Sequence, residues 1–161
     1  TQNGPRRTRG KQVRRDTVGR RARIVINGER IMDGQREAVD MSAPGDFYRR
    51  DGKCYLLYEE TTEDRHTVRS LVKVSPDRLE IIKTGEIKSH MVFCRGERTE
   101  TVYGAFAGQL TIGIHTRRLE IREREEELEV LVEYSMEMNG QSVSDSILTI
   151  TVSFRGELEA D

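Results

Sequence analysis

The sequence contains little of what several large classes of protein require. It has no tryptophan, three prolines and two cysteines among its 161 residues. Cys54 and Cys94 are too few for a disulfide-rich scaffold and fit a reducing compartment. No apolar run approaches the roughly 20 residues of a membrane-spanning helix, and the basic N-terminal segment lacks the apolar stretch of a secretory signal. These absences predict one globular domain located in the cytoplasm.

Charge is abundant but unevenly distributed along the chain. The 27 basic and 28 acidic residues nearly cancel, but nine of the basic residues and one acid lie within residues 1–23. Only two valines are apolar among the first 20 residues, so this segment cannot bury enough surface to offset the entropy of ordering it. We predict a disordered basic arm over residues 1–19, a single domain over 20–156 and a short tail over 157–161.

The clearest local pattern lies in the last third of the chain. Apolar and polar side chains alternate from Leu128 to Met138, and the alternation resumes from Asp145 to Phe154. A period of two is typical of a strand with one buried face. Asn139-Gly140 lies between the two segments, and Asn-Gly accepts the positive φ angles of a type I′ turn. The pattern therefore predicts a β-hairpin.

The same alternation predicts nine further strands upstream, separated by turn residues such as Asp33-Gly34 and Asp51-Gly52. We expect Pro44-Gly45 to break the chain between two of these strands. The predicted strands cover residues 21–30, 35–41, 46–50, 53–60, 66–75, 78–84, 87–95, 99–106 and 109–123. In the last of them the apolar parity changes between Ile114 and Leu119, which predicts a bulge or bend near His115–Arg118.

The strand series predicts an all-β fold. Only the charged stretch Arg117–Glu129 competes as a helix, and its apolar residues do not form a helical stripe. Consecutive hairpins with one buried face close most economically as a barrel, because closure removes exposed edges. We predict an up-and-down antiparallel β-barrel of about ten strands, with a two-sheet sandwich as the alternative.

Several strand and turn motifs match a known family. They are the strand Lys53–Glu60, the segment Val72–Ser75, the turn Lys83–Lys88 and the closing hairpin Tyr134–Thr151. Over residues 21–155 the chain resembles the YwiB-like proteins, uncharacterised proteins of Gram-positive bacteria with a calycin-like (lipocalin-type) β-barrel. The resemblance implies that barrel fold, and it implies no catalytic residue and no cofactor.

Metal-binding and catalytic patterns are weak in this sequence. Cys54 and Cys94 lie 40 residues apart, far from the close pairs of structural zinc sites. His90 and Cys94 would lie about 13 Å apart along one strand. No nucleophile elbow or P-loop is present, and adjacent acids on a strand point to opposite faces. We therefore expect no metal, no cofactor and no enzymatic activity.

The barrel interior is the more informative candidate site. A barrel of eight to ten strands is either just filled by side chains or holds one small ligand. Aromatic and methionine side chains suit an apolar ligand, and a tyrosine hydroxyl can anchor a polar group. We predict that the barrel holds a small apolar or amphipathic ligand. The predicted lining residues are Tyr58, Phe93, Tyr134, Met136 and Phe154. The alternative is a closed core with the function on the outer surface.

The basic arm suggests a second, non-catalytic function. Arginine-rich disordered segments attract phosphate backbones, and the binding weakens as salt rises. The protein would then be an interaction module that contacts RNA, a ribonucleoprotein or an acidic partner. The alternatives are a solvated tail resting on the acidic body and attachment to a membrane surface. The predicted contact residues are Arg6, Arg7, Arg9, Lys11, Arg14 and Arg15.

Overall fold

The computed structural model describes residues 19–105 and 108–154. The predicted arm, except Gly19, lies outside the described residues, as does the predicted tail over 157–161. The described chain forms ten strands: β1 (Arg20–Met32), β2 (Gln35–Arg50), β3 (Lys53–Thr61), β4 (Thr67–Ser75), β5 (Arg78–Gly85), β6 (Ser89–Cys94), β7 (Arg98–Ala105), β8 (Gly108–Glu123), β9 (Glu127–Met138) and β10 (Gln141–Ser153). No described helix is long and apolar enough to cross a membrane.

The ten strands form one antiparallel sheet that curls into a nearly closed barrel. The strand order is β6-β5-β4-β3-β2-β1-β10-β9-β8-β7, so the first strand pairs with the last. The remaining seam lies between β6 and β7, where one bridge joins Lys88 to Gly104. The Thr99 and Thr101 hydroxyls donate across the seam to the carbonyls of Val92 and His90. The predicted up-and-down barrel is confirmed, and the stretch considered as a helix belongs to β8 and β9.

Tight turns set the register of the hairpins. Asp33-Gly34, Asp51-Gly52 and Asn139-Gly140 all have positive φ angles at both residues. This is the backbone of the type I′ turn, whose twist matches that of the flanking strands. The hairpin predicted around Asn139-Gly140 is therefore confirmed.

The break predicted at Pro44-Gly45 is wrong, because β2 runs through both residues. β2 pairs with β3 only from Gly45 onward, so the chain before that point has a neighbour on the β1 side alone. A proline is tolerated on such an edge. Gly45 is required by close packing, since a Cβ there would lie 2.6 Å from both Ile24 Cδ1 and the Leu57 carbonyl oxygen.

The irregularity predicted in the long eighth strand is confirmed. The pairing of β8 with β9 shifts between Thr116 and Arg118, which keeps Ile114 and Leu119 both on the buried face. A second shift occurs between Ser142 and Ser144 in β10 and was not predicted. It could not be read from the sequence, since serines give no apolar parity to follow.

The barrel has two ends that differ in their contents. At the terminal end, where β1 begins and β10 ends, the interior is apolar and closed. Phe154 packs on Phe47 with ring centroids 4.6 Å apart, and the Arg20 guanidinium covers Phe154 at 4.3 Å. The distal end carries the turns at 33–34 and 139–140, because alternate turns of an up-and-down barrel share an end. Fully buried side chains that fill the interior include Ile24, Leu56, Val72, Leu79, Leu119, Leu128, Val130, Val132 and Val152.

Candidate ligand site in the polar half of the barrel

Towards the distal end, polar residues replace apolar ones on the inward face. One row of them crosses five adjacent strands, each residue being the direct cross-strand partner of the next. We call it the first polar row, and it consists of Glu37 (β2), Arg30 (β1), Ser146 (β10), Tyr134 (β9) and Thr116 (β8). Side chains directly opposite on antiparallel strands lie close enough to interact. The row therefore forms a continuous polar strip on the inner wall.

A second polar row crosses the other side of the barrel. Tyr58 (β3), Ser70 (β4), Lys83 (β5) and Ser89 (β6) are again successive cross-strand partners. Inward orientation follows from strand parity, since Lys83 shares its face with the buried Leu79. The two rows together define the polar half of the barrel.

A tyrosine lies in each row, and both are buried. Burial raises the pKa of Tyr58, and its neighbour Ser70 offsets part of that rise. Burial likewise raises the pKa of Tyr134, opposed by Ser146 and by the positive charge of Arg30. Both phenols are therefore neutral at physiological pH and can donate a hydrogen bond.

Three buried hydroxyl groups in this region have no hydrogen-bond partner among the described residues. They belong to Ser70, Thr116 and Ser144, whose exposed fractions are 1%, 2% and 4%. Ser144 lies on β10 with Met136 as its cross-strand partner. A buried unpaired polar group costs about 1–3 kcal/mol, and native proteins contain few of them. Thr116 and Ser144 lie on the side of the first row and Ser70 lies in the second row, so a hydrogen-bonding partner would be stabilising on both walls of the polar half.

Two ion pairs lie towards the distal mouth. Arg30 of the first row forms one of them and Lys83 of the second row forms the other. Arg30 donates from Nε and Nη2 to Glu37 Oε1 at 3.0 and 2.5 Å. Lys83 Nζ lies 3.4 Å from Glu60 Oε1, with both side chains about one-third exposed. The mouth is therefore charged, whereas the interior beyond it carries neutral hydroxyls.

A groove on the barrel wall reaches the second row. Its volume is about 480 Å³, and it lies where β2 diverges from β3. Tyr58 and Ser70 contribute to its lining together with Gly45. The groove therefore runs along the outer wall beside the second row, whose Tyr58 and Ser70 side chains are only 5% and 1% exposed.

The five predicted lining residues occupy two separate places. Tyr58 and Tyr134 lie in the polar rows, and Phe93 packs edge-on against Tyr134 at 4.8 Å. Met136 is half-buried and packs against the core beside them. Phe154 lies at the terminal end, apart from the other four.

Sequence reasoning missed the polar members of the site, which include Arg30, Ser70, Lys83, Thr116, Ser144 and Ser146. The sequence pattern that could have identified them is a polar residue at an inward-facing position of an otherwise apolar alternation. The predicted arm residues are outside the described part of the chain: Arg6, Arg7, Arg9, Lys11, Arg14 and Arg15.

Cys54 and His90 each lie beside a carboxylate. Burial raises the pKa of the Cys54 thiol, and the nearby Glu123 carboxylate adds to that rise. His90 Nε2 pairs with Glu80 Oε1 at 2.7 Å on the outer surface. Within residues 19–105 and 108–154, no three His, Cys, Asp or Glu side chains are grouped to hold a metal ion.

The family model described as "Domain of unknown function (DUF1934)" matches residues 24–150. The chain belongs to the DUF1934 family. It is similar to the uncharacterized beta-barrel protein YwiB of Bacillus subtilis (strain 168), with 25% identity over 128 residues, 80% of this chain and 88% of YwiB. The crystal structure of ywiB protein from Bacillus subtilis aligns with a TM-score of 0.78 and 22% identity, covering 89% of this chain and 97% of that one. The family resemblance seen in the sequence is confirmed, and so is the barrel fold.

The DUF1934 match has a consequence for the site. Residues 24–150 include every member of both polar rows, which run from Arg30 to Ser146. Phe154, at the closed terminal end, lies outside the matched segment. The candidate site is therefore built entirely within the family's domain.

Proposed function

We propose that this protein is a non-catalytic, cytoplasmic binding protein that holds a small amphipathic molecule in the polar half of its barrel. The observation that carries the proposal is the set of three buried hydroxyls without a partner among the described residues, those of Ser70, Thr116 and Ser144, which are distributed over both walls of the polar half. A ligand that hydrogen-bonds these groups would remove their desolvation penalty. The two free cysteines support a reducing compartment.

The surroundings of these hydroxyls suit a molecule with one polar and one apolar part. Neutral phenols of Tyr58 and Tyr134 add further donors beside them. Phe93 and Met136 supply apolar and adaptable contact area for the remainder of the molecule. Sites for small molecules typically combine such an apolar lining with a few placed polar groups.

Native mass spectrometry of the full-length protein, purified gently at low salt, tests the proposal. We expect a discrete added mass that is lost on denaturation. Displacement of a neutral hydrophobic dye should be saturable. A bare protein that also shows no saturable dye binding would overturn the proposal.

A matched pair of variants locates the bound molecule. Combining Ser70→Ala, Thr116→Val and Ser144→Ala should weaken binding at least about tenfold, which corresponds to about 1.4 kcal/mol. Thr149→Val alters a hydroxyl on the outer face of β10 and should leave binding unchanged. Equal effects of the two variants would place the ligand elsewhere.

The charge asymmetry of the sequence favours a second candidate function. The segment of residues 1–23 has a net charge of +8, whereas the rest of the chain has -9. The arm would contact RNA, a ribonucleoprotein or another acidic partner through its phosphates or carboxylates. Deleting residues 1–19 should abolish RNA retention at low salt. Unchanged retention would exclude the arm as a nucleic-acid contact.

A further inference from the structure

We propose that the ligand is an anion of the carboxylate class and that Arg30 binds its charged group. This inference rests on the proposed function and names the chemistry of the ligand. Its basis is the first polar row, which places one guanidinium beside a run of hydroxyl donors on the inner wall.

The row offers a carboxylate several donors at once. Ser146 is the cross-strand partner of both Arg30 and Tyr134, so these three side chains are successive neighbours on the inner wall. The Thr116 hydroxyl is the next in the row and has no partner among the described residues. A carboxylate has about four acceptor sites, and the planar guanidinium suits it better than an ammonium does. The first row therefore matches a carboxylate more closely than an uncharged polar group.

The structure already places a carboxylate on Arg30, that of Glu37. Both hydrogen bonds go to a single oxygen of Glu37, whose side chain is 58% exposed against 42% for Arg30. Such exposed ion pairs contribute little stability, so Glu37 can turn towards water at small cost. A ligand carboxylate that reaches Arg30 from inside the barrel would take its place and gain the hydroxyls of the row.

The second row is a weaker candidate for the charged group. Its cation, Lys83, is a flexible ammonium that lies 3.4 Å from Glu60. An ammonium acts as a point charge and lacks the fork that binds both oxygens of a carboxylate. Tyr58 and Ser70, its neighbours in this row, are uncharged.

The hairpin of β1 and β2 provides an internal control. Arg36 pairs with Glu29 at 2.5 Å on the same hairpin, but both side chains point outward. Replacing Arg36 removes the same charge from the same hairpin without touching the polar row. A difference between Arg30→Met and Arg36→Met therefore reports the position of the charge and not the net charge of the protein.

The experiment compares three probes that share one alkyl chain: decanoate, decanol and decyltrimethylammonium. Affinities are measured on the full-length protein by displacement of a neutral dye. Decanoate should bind at least about tenfold more tightly than decanol, and decyltrimethylammonium should bind more weakly than both. Arg30→Met should abolish the preference for decanoate over decanol, whereas Arg36→Met should retain it.

A second variant keeps the test decisive if Arg30→Met folds poorly. Glu37→Gln removes the competing carboxylate and should tighten decanoate binding by about threefold, with decanol unchanged. Equal affinity of decanoate and decanol, or weaker decanoate binding by Glu37→Gln, would overturn the inference while leaving the binding function intact. If the dye binds saturably and none of the three probes displaces it, this inference is overturned and the binding function stands, whereas the absence of any saturable dye binding would count against both.

Discussion

The terminal and distal halves of this barrel are built from the same strands but have different interiors. On β3 the inward side chain changes from Leu56 to Tyr58 within one step of the alternation, and on β10 it changes from Val152 to Ser146 over three. The terminal half buries aliphatic and aromatic groups that stabilise the fold. The distal half buries hydroxyls that stabilise nothing unless a partner is present. The same strand therefore carries an apolar, stabilising segment at one end and a polar segment, where we propose that the ligand binds, at the other.

Truncation of the terminal core should give the largest effect. Leu119 is fully buried, and Leu119→Ala should lower the free energy of unfolding by about 2–5 kcal/mol, because it removes packed atoms and leaves a cavity. Leu110→Ala on the same strand, where Leu110 is 52% exposed, should change it by less than about 0.5 kcal/mol. Urea unfolding measures both values. Similar losses for the two variants would mean that the terminal half is not the stabilising core.

Replacing a buried hydroxyl by a methyl group should stabilise the unliganded distal half, and the reverse replacement should destabilise the apolar interior. Thr116→Val removes an unpartnered buried hydroxyl and should raise the free energy of unfolding by about 1 kcal/mol. Val132→Thr places a hydroxyl in the apolar interior and should lower it by about 1–3 kcal/mol. Urea unfolding of the unliganded variants checks both signs. A loss of stability in Thr116→Val would show that this hydroxyl already has a hydrogen-bond partner, and would count against a ligand site at Thr116.

The smallest effect should be the contribution of the two buried tyrosines to the free energy of unfolding, which changes with pH only in the alkaline range. Burial raises the pKa of Tyr58 and Tyr134 above the ordinary value of 10.0. Well below pH 10 both tyrosines are protonated in the folded and unfolded states, so they cause no change in the free energy of unfolding. Above pH 10 the unfolded chain loses these protons first, and the free energy of unfolding should fall as pH rises.

Unfolding curves between neutral pH and pH 11 measure this decline. Tyr134→Phe should make it shallower, and the double variant with Tyr58→Phe should make it shallower still. Parallel curves for the wild type and both variants would show that the phenols are not buried in a neutral form.

Local patterns in the sequence predicted the strands because a strand displays its burial with a period of two. The same logic predicted the bulge beside Thr116, where an inserted residue restores the parity of Leu119. The break predicted at Pro44 was wrong. Strand β2 tolerates this proline because its pairing with β3 begins only at the next residue, Gly45. That start is a property of two strands and not of the segment around Pro44.

Composition and alternation in the sequence by themselves determined an all-β chain, its turns, and which side of each strand is buried. Only the tertiary structure decided that Arg30, Ser146, Tyr134 and Thr116 stand in one row. These residues lie far apart along the chain and meet through three successive strand pairings. Alternation specifies a face for each residue, whereas register specifies its neighbours, and register arises only when all strands close around a common interior.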